Sequence, residues 1–248
     1  MGRKMAAMYT VLVVLLAELV ALYLLGSYAM GRLGALGWSG GPLGRLIFYL
    51  VVAPGVILHE SAHYLACRLT FTPVQRFVPF APRREAAGRV VLGYVAHRRT
   101  NPLSGAVIGL APVAVNPLGL LLLTTVLAPV DPLAILPAVS GGAAGPGEVL
   151  LALGGELWAF ARAQPVLFGL WGYLAVSLAL GSCPSREDLA AVPAAAGLVL
   201  AGALGYAAVS GASLPQALTG VPALAASLYL FPVLVAATAA LGTALLRS

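Results

Sequence analysis

Long apolar runs, separated by short polar or Pro/Gly-rich stretches, dominate this chain. Six of them, 6–30, 46–69, 104–128, 165–182, 189–209 and 221–246, come near the ~20 residues a helix needs to cross ~30 Å of hydrocarbon. The pattern predicts six transmembrane helices. The first run is too long for a good signal peptide and poor in A-x-A-like cleavage sites, so it reads as a retained span. One region breaks the pattern. Residues 72–80 and 88–97 are short β-branched or aromatic runs on either side of a turn-like stretch, 81–87. They predict a small β-hairpin at the membrane surface between helices two and three, its arginines lying against anionic headgroups. The expected fold is therefore an all-α polytopic membrane protein with one hairpin, and residues 1–248 form a single membrane-embedded domain.

Composition sharpens this reading. Hydrophobic residues make up 60% of the 248 and charged residues 9%, where a soluble domain carries about 25% charged. Too little polar surface is left to cover a water-facing globule. Two cysteines exclude a disulfide scaffold, and the apolar bulk excludes a disordered chain or a nucleic-acid binder. The net charge of +6 is better read as orientation in a bilayer. With the N-terminus in the cytoplasm, Arg3, Lys4, Arg68, Arg76, Arg83, Arg84, Arg89, Arg98, Arg99, Arg186 and Arg247 fall on that side. Arg32, Arg45 and Arg162 remain opposite, with Asp131, Glu148 and Glu156. That is the positive-inside bias, and it predicts a multi-pass cell-membrane protein with both termini cytoplasmic. Abundant Ala, Gly, Leu and Arg with little Lys points to a prokaryotic source.

The second span carries the chemistry, in Val56-Ile57-Leu58-His59-Glu60-Ser61-Ala62-His63-Tyr64-Leu65. On a helix His59 and His63 lie one above the other, about 6 Å apart along the axis, so two imidazoles can converge on one ion. Glu60, next along, is placed to take a proton from an activated water without being a ligand. With three histidines and eight acidic residues in the chain, a chance H-[DE]-x-x-H is roughly a one-in-a-thousand event. Ionisable groups inside an apolar span are also costly and mark function.

A catalytic zinc takes three protein ligands and a water. The candidates for the third are His97, Cys67, Cys183, Glu187 and Asp188. Cys67 shares the helix face but lies about 12 Å from His59 along it, too far for one tetrahedral ion. His97 reaches the site only if the hairpin folds inward. The segment 182–189, on the cytoplasmic side between spans four and five, matches the depth of the histidine pair. Within it Ser185-x-x-Asp188 also resembles a capping box opening span five, and Cys183 is a minor rival as a thiolate.

His59-Glu60-Ser61-Ala62-His63 inside a transmembrane helix resembles the site-2 protease family of intramembrane zinc metalloproteases. That family takes its third ligand, an Asp, from a later span, usually in an Asp-Gly context that is absent here. Pro184-Ser185-Arg186-Glu187-Asp188 is similar to the Pro-Ser-x-x-Asp version of a divergent prokaryotic branch. The resemblance thus implies Asp188 as third ligand of one Zn2+ per chain. It also implies a role for Asn116, in Ala111-Pro112-Val113-Ala114-Val115-Asn116, in holding substrate or the oxyanion. Here Ala replaces the family's Gly, and one extra residue precedes Asn. As the only amide within that apolar run, Asn116 reads equally well as a helix–helix hydrogen bond. The family's membrane-inserted β element corresponds to 72–97. The resemblance covers residues 46–205, leaving 6–30 and 221–246 as extra helices.

The expected activity is hydrolysis of peptide bonds in membrane-spanning proteins or peptides, with zinc-activated water as nucleophile and Glu60 as general base. Two other readings compete with it, a metal-binding scaffold without protease activity and an ion-coupled transporter. The transporter reading expects paired broken helices in two related halves, which this chain does not display.

Overall fold

The computed structural model describes residues 2–84, 90–98, 100–128 and 146–183, with isolated positions from 185 to 244 that include Ser185 and Asp188. These residues are mostly helical, with only small sheets. The expected spans 189–209 and 221–246 fall largely outside them.

Helix α1 runs from Gly2 to Ser39 and α2 from Gly41 to Leu69. The chain reverses between them at Gly41, whose φ of +66° suits glycine, and Pro42 starts the second helix. Helix α3 spans Pro102–Leu127, its first turn capped by the Asn101 side chain, which accepts from the Ser104 amide at 2.8 Å. Helices α4, Pro146–Ala163, and α5, Pro165–Gly181, follow. Among the described residues α2 and α3 are long and apolar enough to cross a membrane. Helix α4 was not anticipated: its acidic and basic residues keep it below a span's hydropathy. Pro165 separates it from α5, because the residue before a proline is driven from helical backbone, and Gln164 sits at φ −140°, ψ 67°.

Helix α2 lies at the centre and is apolar on both sides. Phe48, Val52, Val56, Ala62 and Ala66 are buried, while Leu43, Leu46, Ile47, Leu50 and Ile57 point outward at helical spacing. Such a helix belongs in a core or in lipid rather than at a water surface. Helices α3 and α5 pack on its inner face. Leu120, Phe160, Trp171, Ala175 and Ala179 join α3, α4 and α5 in one cluster, and the Trp171 indole donates to Thr124 at 3.2 Å.

Leu69 ends α2 in a left-handed turn. Phe71, at φ 54°, lets the Thr72 amide reach the Cys67 carbonyl at 2.8 Å, and its own amide reaches Arg68 at 3.2 Å. The chain then doubles back. Strand β1 (Val74–Val78) pairs antiparallel with β4 (Tyr94–His97), with an irregularity between Val74 and Arg76. Strand β2 (Arg83–Arg84) pairs with β3 (Val90–Val91). An Ala81 to Leu92 hydrogen bond of 2.7 Å joins the two ladders into one bent ribbon.

Strands β1, β3 and β4 fall within the two predicted runs, whereas β2 lies in the stretch read as a turn, and the ribbon is not perched at the end of α2. It runs antiparallel along it: Phe77 stacks on Tyr64, Phe80 meets Tyr49 edge-on, and Arg84 lies 5.2 Å over the Trp38 ring, beside Arg45 at 5.1 Å. Aromatic pairing with α2 gains more than an exposed ribbon would, and the left-handed turn at Phe71 aims the chain that way. Arg84 consequently sits with Arg45 near the start of α2, although the charge bias along the sequence places the two on opposite sides of the membrane.

Candidate metal centre

Residues far apart in sequence meet on the inner face of α2. His59 and His63 project from it one turn apart, and Asp188 reaches them from beyond α5. Among the described residues, ligand atoms of these three lie within 4.8 Å of one another. Asp188 is 3% exposed. Its Oδ1 is 3.2 Å from His63 Nε2, and its Oδ2 is 3.6 Å from His59 Nε2. The two Nε2 atoms are 3.2 Å apart.

The ring hydrogen bonds fix what these atoms are. His59 Nδ1 lies 2.8 Å from the Gly181 carbonyl oxygen, and His63 Nδ1 lies 2.8 Å from that of Ile108. A carbonyl only accepts, so each Nδ1 carries a proton, and whenever a ring is neutral its Nε2 turns a bare lone pair inward. With both rings neutral, two lone pairs and a carboxylate converge on one point, an arrangement relieved by a positive charge between them, either a proton or a metal ion. Two bonds of ~2.0–2.1 Å at a tetrahedral angle hold their donors about 3.3 Å apart. The observed separations lie near that value, those of Asp188 involving both of its oxygens, and two imidazoles with one carboxylate suit zinc better than magnesium or calcium.

Asp188 has a second task. Its Oδ2 accepts from the Ser185 amide at 2.7 Å, while the Ser185 hydroxyl accepts from the Asp188 amide at 3.1 Å. This is the reciprocal capping box read from the sequence. Cap and ligand candidate are one residue, so the cap aims the carboxylate.

The base of the site is unusually close-packed. A Cβ at Gly55 would strike the Ser177 carbonyl, and one at Gly181 would strike both the Asn116 amide and the Gly55 carbonyl. The Gly55 amide donates to Ser177 Oγ at 2.9 Å, and Asn116 Nδ2 donates to the Gly55 carbonyl at 3.2 Å. This clasp of α2, α3 and α5 holds Gly181, whose carbonyl lies in the last turn of α5 and lacks a helical donor. His59 uses that spare acceptor.

Above the imidazoles lies a cavity of about 500 Å³, walled by Val91, Gly93, Tyr94 and Val95 of the ribbon and by Ile108 and Gly109 of α3. Glu60 lines it with both histidines. A smaller space of about 220 Å³ shares His59, Glu60, Val91 and Gly93 with it. That space borders a cleft of about 670 Å³ running past Met30, Leu92 and Cys183 to Trp38 and Arg84.

The expected residues sort cleanly. His59, His63 and Asp188 come together, and Glu60 faces the same cavity. His97 lines the cavity outside the triad, its Nδ1 on the Arg98 carbonyl at 2.8 Å. Cys183 turns to α1, 3.6 Å from Ser27 Oγ, and Cys67 is buried between α2 and α3. Glu187 falls outside the described residues. Asn116 is fully buried in the clasp and lines none of the three cavities. Sequence reasoning missed the carbonyls of Gly181 and Ile108, because backbone atoms carry no residue signature. Comparison with known protein families, curated proteins and solved structures yields no match to this chain.

Proposed function

We propose that this chain is a membrane-embedded zinc metalloprotease that hydrolyses peptide bonds of membrane-spanning substrates. One observation carries the reading: two tautomer-locked imidazoles and a buried carboxylate converge at the donor spacing of a tetrahedral ion, with a free glutamate on the same cavity. His59, His63 and Asp188 hold the metal. When bound, zinc supplies Lewis-acid chemistry, polarising a carbonyl and lowering the pKa of water.

The protein's own residues do the rest. Glu60 accepts the proton of the attacking water and returns it to the leaving amide nitrogen, so acid and base are one carboxyl group. Strand β4 has one edge on β1 and presents Tyr94 and Val95 to the cavity. A substrate helix unwound into an extended segment adds to the other edge of β4, unpaired among the described residues, which brings its peptide bond past Gly93 to Glu60. Asn116 acts through Gly55 and Gly181 as a positioning residue. The apolar outer stripe of α2 supports placement in a bilayer, where non-helical backbone is tolerated if it lines a cavity, as the ribbon does here.

The test uses the full chain in lipid nanodiscs with a fluorogenic transmembrane peptide that carries a helix-breaking centre. Wild type is expected to hold about one zinc per chain and cleave. Asp188→Ala loses the zinc, whereas His97→Ala keeps it. Glu60→Gln keeps the metal and loses activity by at least ~10²-fold. Cleavage at the wild-type rate by metal-replete Glu60→Gln removes the general base from the mechanism. Zinc-loaded wild type that cuts nothing favours a metal-binding scaffold.

A further inference from the structure

The carbonyl that orients His63 should not be available. Ile108 lies within α3, where its oxygen would ordinarily accept the amide of the residue four positions on. That residue is Pro112, which has no N–H. A proline ring also crowds the carbonyl four residues before it and tips it away from the helix axis. The Ile108 oxygen, robbed of its donor, meets His63 Nδ1 at 2.8 Å.

The same device recurs in α2. Pro54 deprives the Leu50 carbonyl of its donor, and the Tyr173 hydroxyl of α5 donates to it at 2.7 Å. Two prolines thus leave two carbonyls to neighbouring elements. One binds helix to helix; the other grips a metal-ligand side chain.

We propose that Pro112 is a positioning residue of the metal centre: by withholding its N–H it frees the Ile108 carbonyl to hold His63 in the Nδ1–H tautomer, with Nε2 bare toward the ion. The inference rests on the metal-centre reading above. It adds a residue that touches neither metal nor substrate and works through a backbone atom. His59 needs no such help, because Gly181 already stands at a helix end.

The experiment uses full-length chain labelled with 15N-histidine, whose three histidines give a readable spectrum. Tautomers are read in metal-free protein, and zinc affinity by competition with a chelator. In wild type His63 is expected to be protonated at Nδ1. In Pro112→Ala the new amide reclaims the Ile108 oxygen, His63 shifts toward the Nε2–H tautomer, and zinc affinity falls about 10–100-fold. His59 keeps its tautomer, and Pro117→Ala, one turn on in the same helix, changes neither reading.

A variant with the α-hydroxy analogue of alanine at position 112 has an ester oxygen in place of the N–H and no ring. It should restore wild-type tautomer and affinity, and it carries the test alone if Pro112→Ala does not fold. Wild-type tautomer and affinity in Pro112→Ala, an equal effect from Pro117→Ala, or failure of the ester to restore them would each overturn the proposal. Absence of zinc binding by wild type would instead sink the metal reading, since the tautomer measurement is made without metal.

Discussion

The two sides of α2 are built to different standards. Toward α3 and α5 it meets backbone on backbone: Gly55, Ser177, Gly181 and Asn116 interlock with no room for a methyl group. Toward the ribbon it meets a two-stranded element whose described residues are all partly or well exposed. Both imidazoles take their anchoring carbonyls from the tight side, Gly181 on α5 and Ile108 on α3. Glu60 lies against the loose side, beside Gly93. The contrast separates holding from working. A metal needs donors fixed within a fraction of an ångström, whereas an extended substrate needs a wall that can yield and a strand edge left open.

The tight side should break hardest. Gly55→Ala places a methyl group on the Ser177 carbonyl, so α2 and α5 must separate. Overpacking of this kind costs about 1–3 kcal/mol, and here it also pulls the Gly181 carbonyl from His59. The expected result is a lower unfolding midpoint in detergent together with weaker zinc retention on dialysis. Loss of stability with full zinc retention would show that the clasp does not set the site.

Gly93→Ala probes the other side. Its Cβ would lie 2.7 Å from the Pro79 carbonyl oxygen and 2.8 Å from Glu60 Cγ. The ribbon can shift, so the fold should survive and zinc should stay bound. On the proposed mechanism Glu60 is then pushed from the reacting bond, and a displacement of about 1 Å can cost ~10²-fold in rate. Turnover is expected to fall tenfold or more, with metal content unchanged. Simultaneous loss of zinc would mean that the ribbon also helps to hold the metal.

These contrasts explain what was legible in the chain. His59, Glu60 and His63 share one helix turn, so their spacing alone shows them converging. Asp188 lies 125 positions beyond His63, and no periodicity links the two; matching depth pointed to its segment and resemblance to the residue, while its capping pattern with Ser185 was visible. Three of the ribbon's strands, all but β2 in the arginine-bearing turn-like stretch, could be read from β-branched and aromatic runs. Their path along α2 could not, because it is set by Tyr64, Tyr49 and Trp38 finding partners on β1, the 79–82 bend and β2. Asn116 was readable as a lone amide in an apolar run, and the geometry gives it the helix–helix bond such an amide favours. The anchors of the imidazoles are backbone oxygens, and the nearest sequence sign of one of them is the proline four residues on.

The smallest effect should come from Tyr173→Phe, which tests whether a freed carbonyl matters wherever it occurs. Pro54 leaves the Leu50 oxygen without a helical donor, and the Tyr173 hydroxyl is its partner. Removing that hydroxyl exposes one carbonyl near the outer surface of α2, where Tyr173 is 38% exposed. Hydrogen bonds between membrane helices average about 0.6 kcal/mol, so stability should change by less than 1 kcal/mol. Leu50 is nine residues before His59, about 14 Å along the helix, and the Gly55 clasp lies between them. Zinc affinity and turnover should therefore stay within twofold of wild type. A larger fall in affinity would mean that a disturbance at the Pro54 turn of α2 is transmitted past the clasp to the imidazoles, and the division between a scaffold proline and a site proline would dissolve.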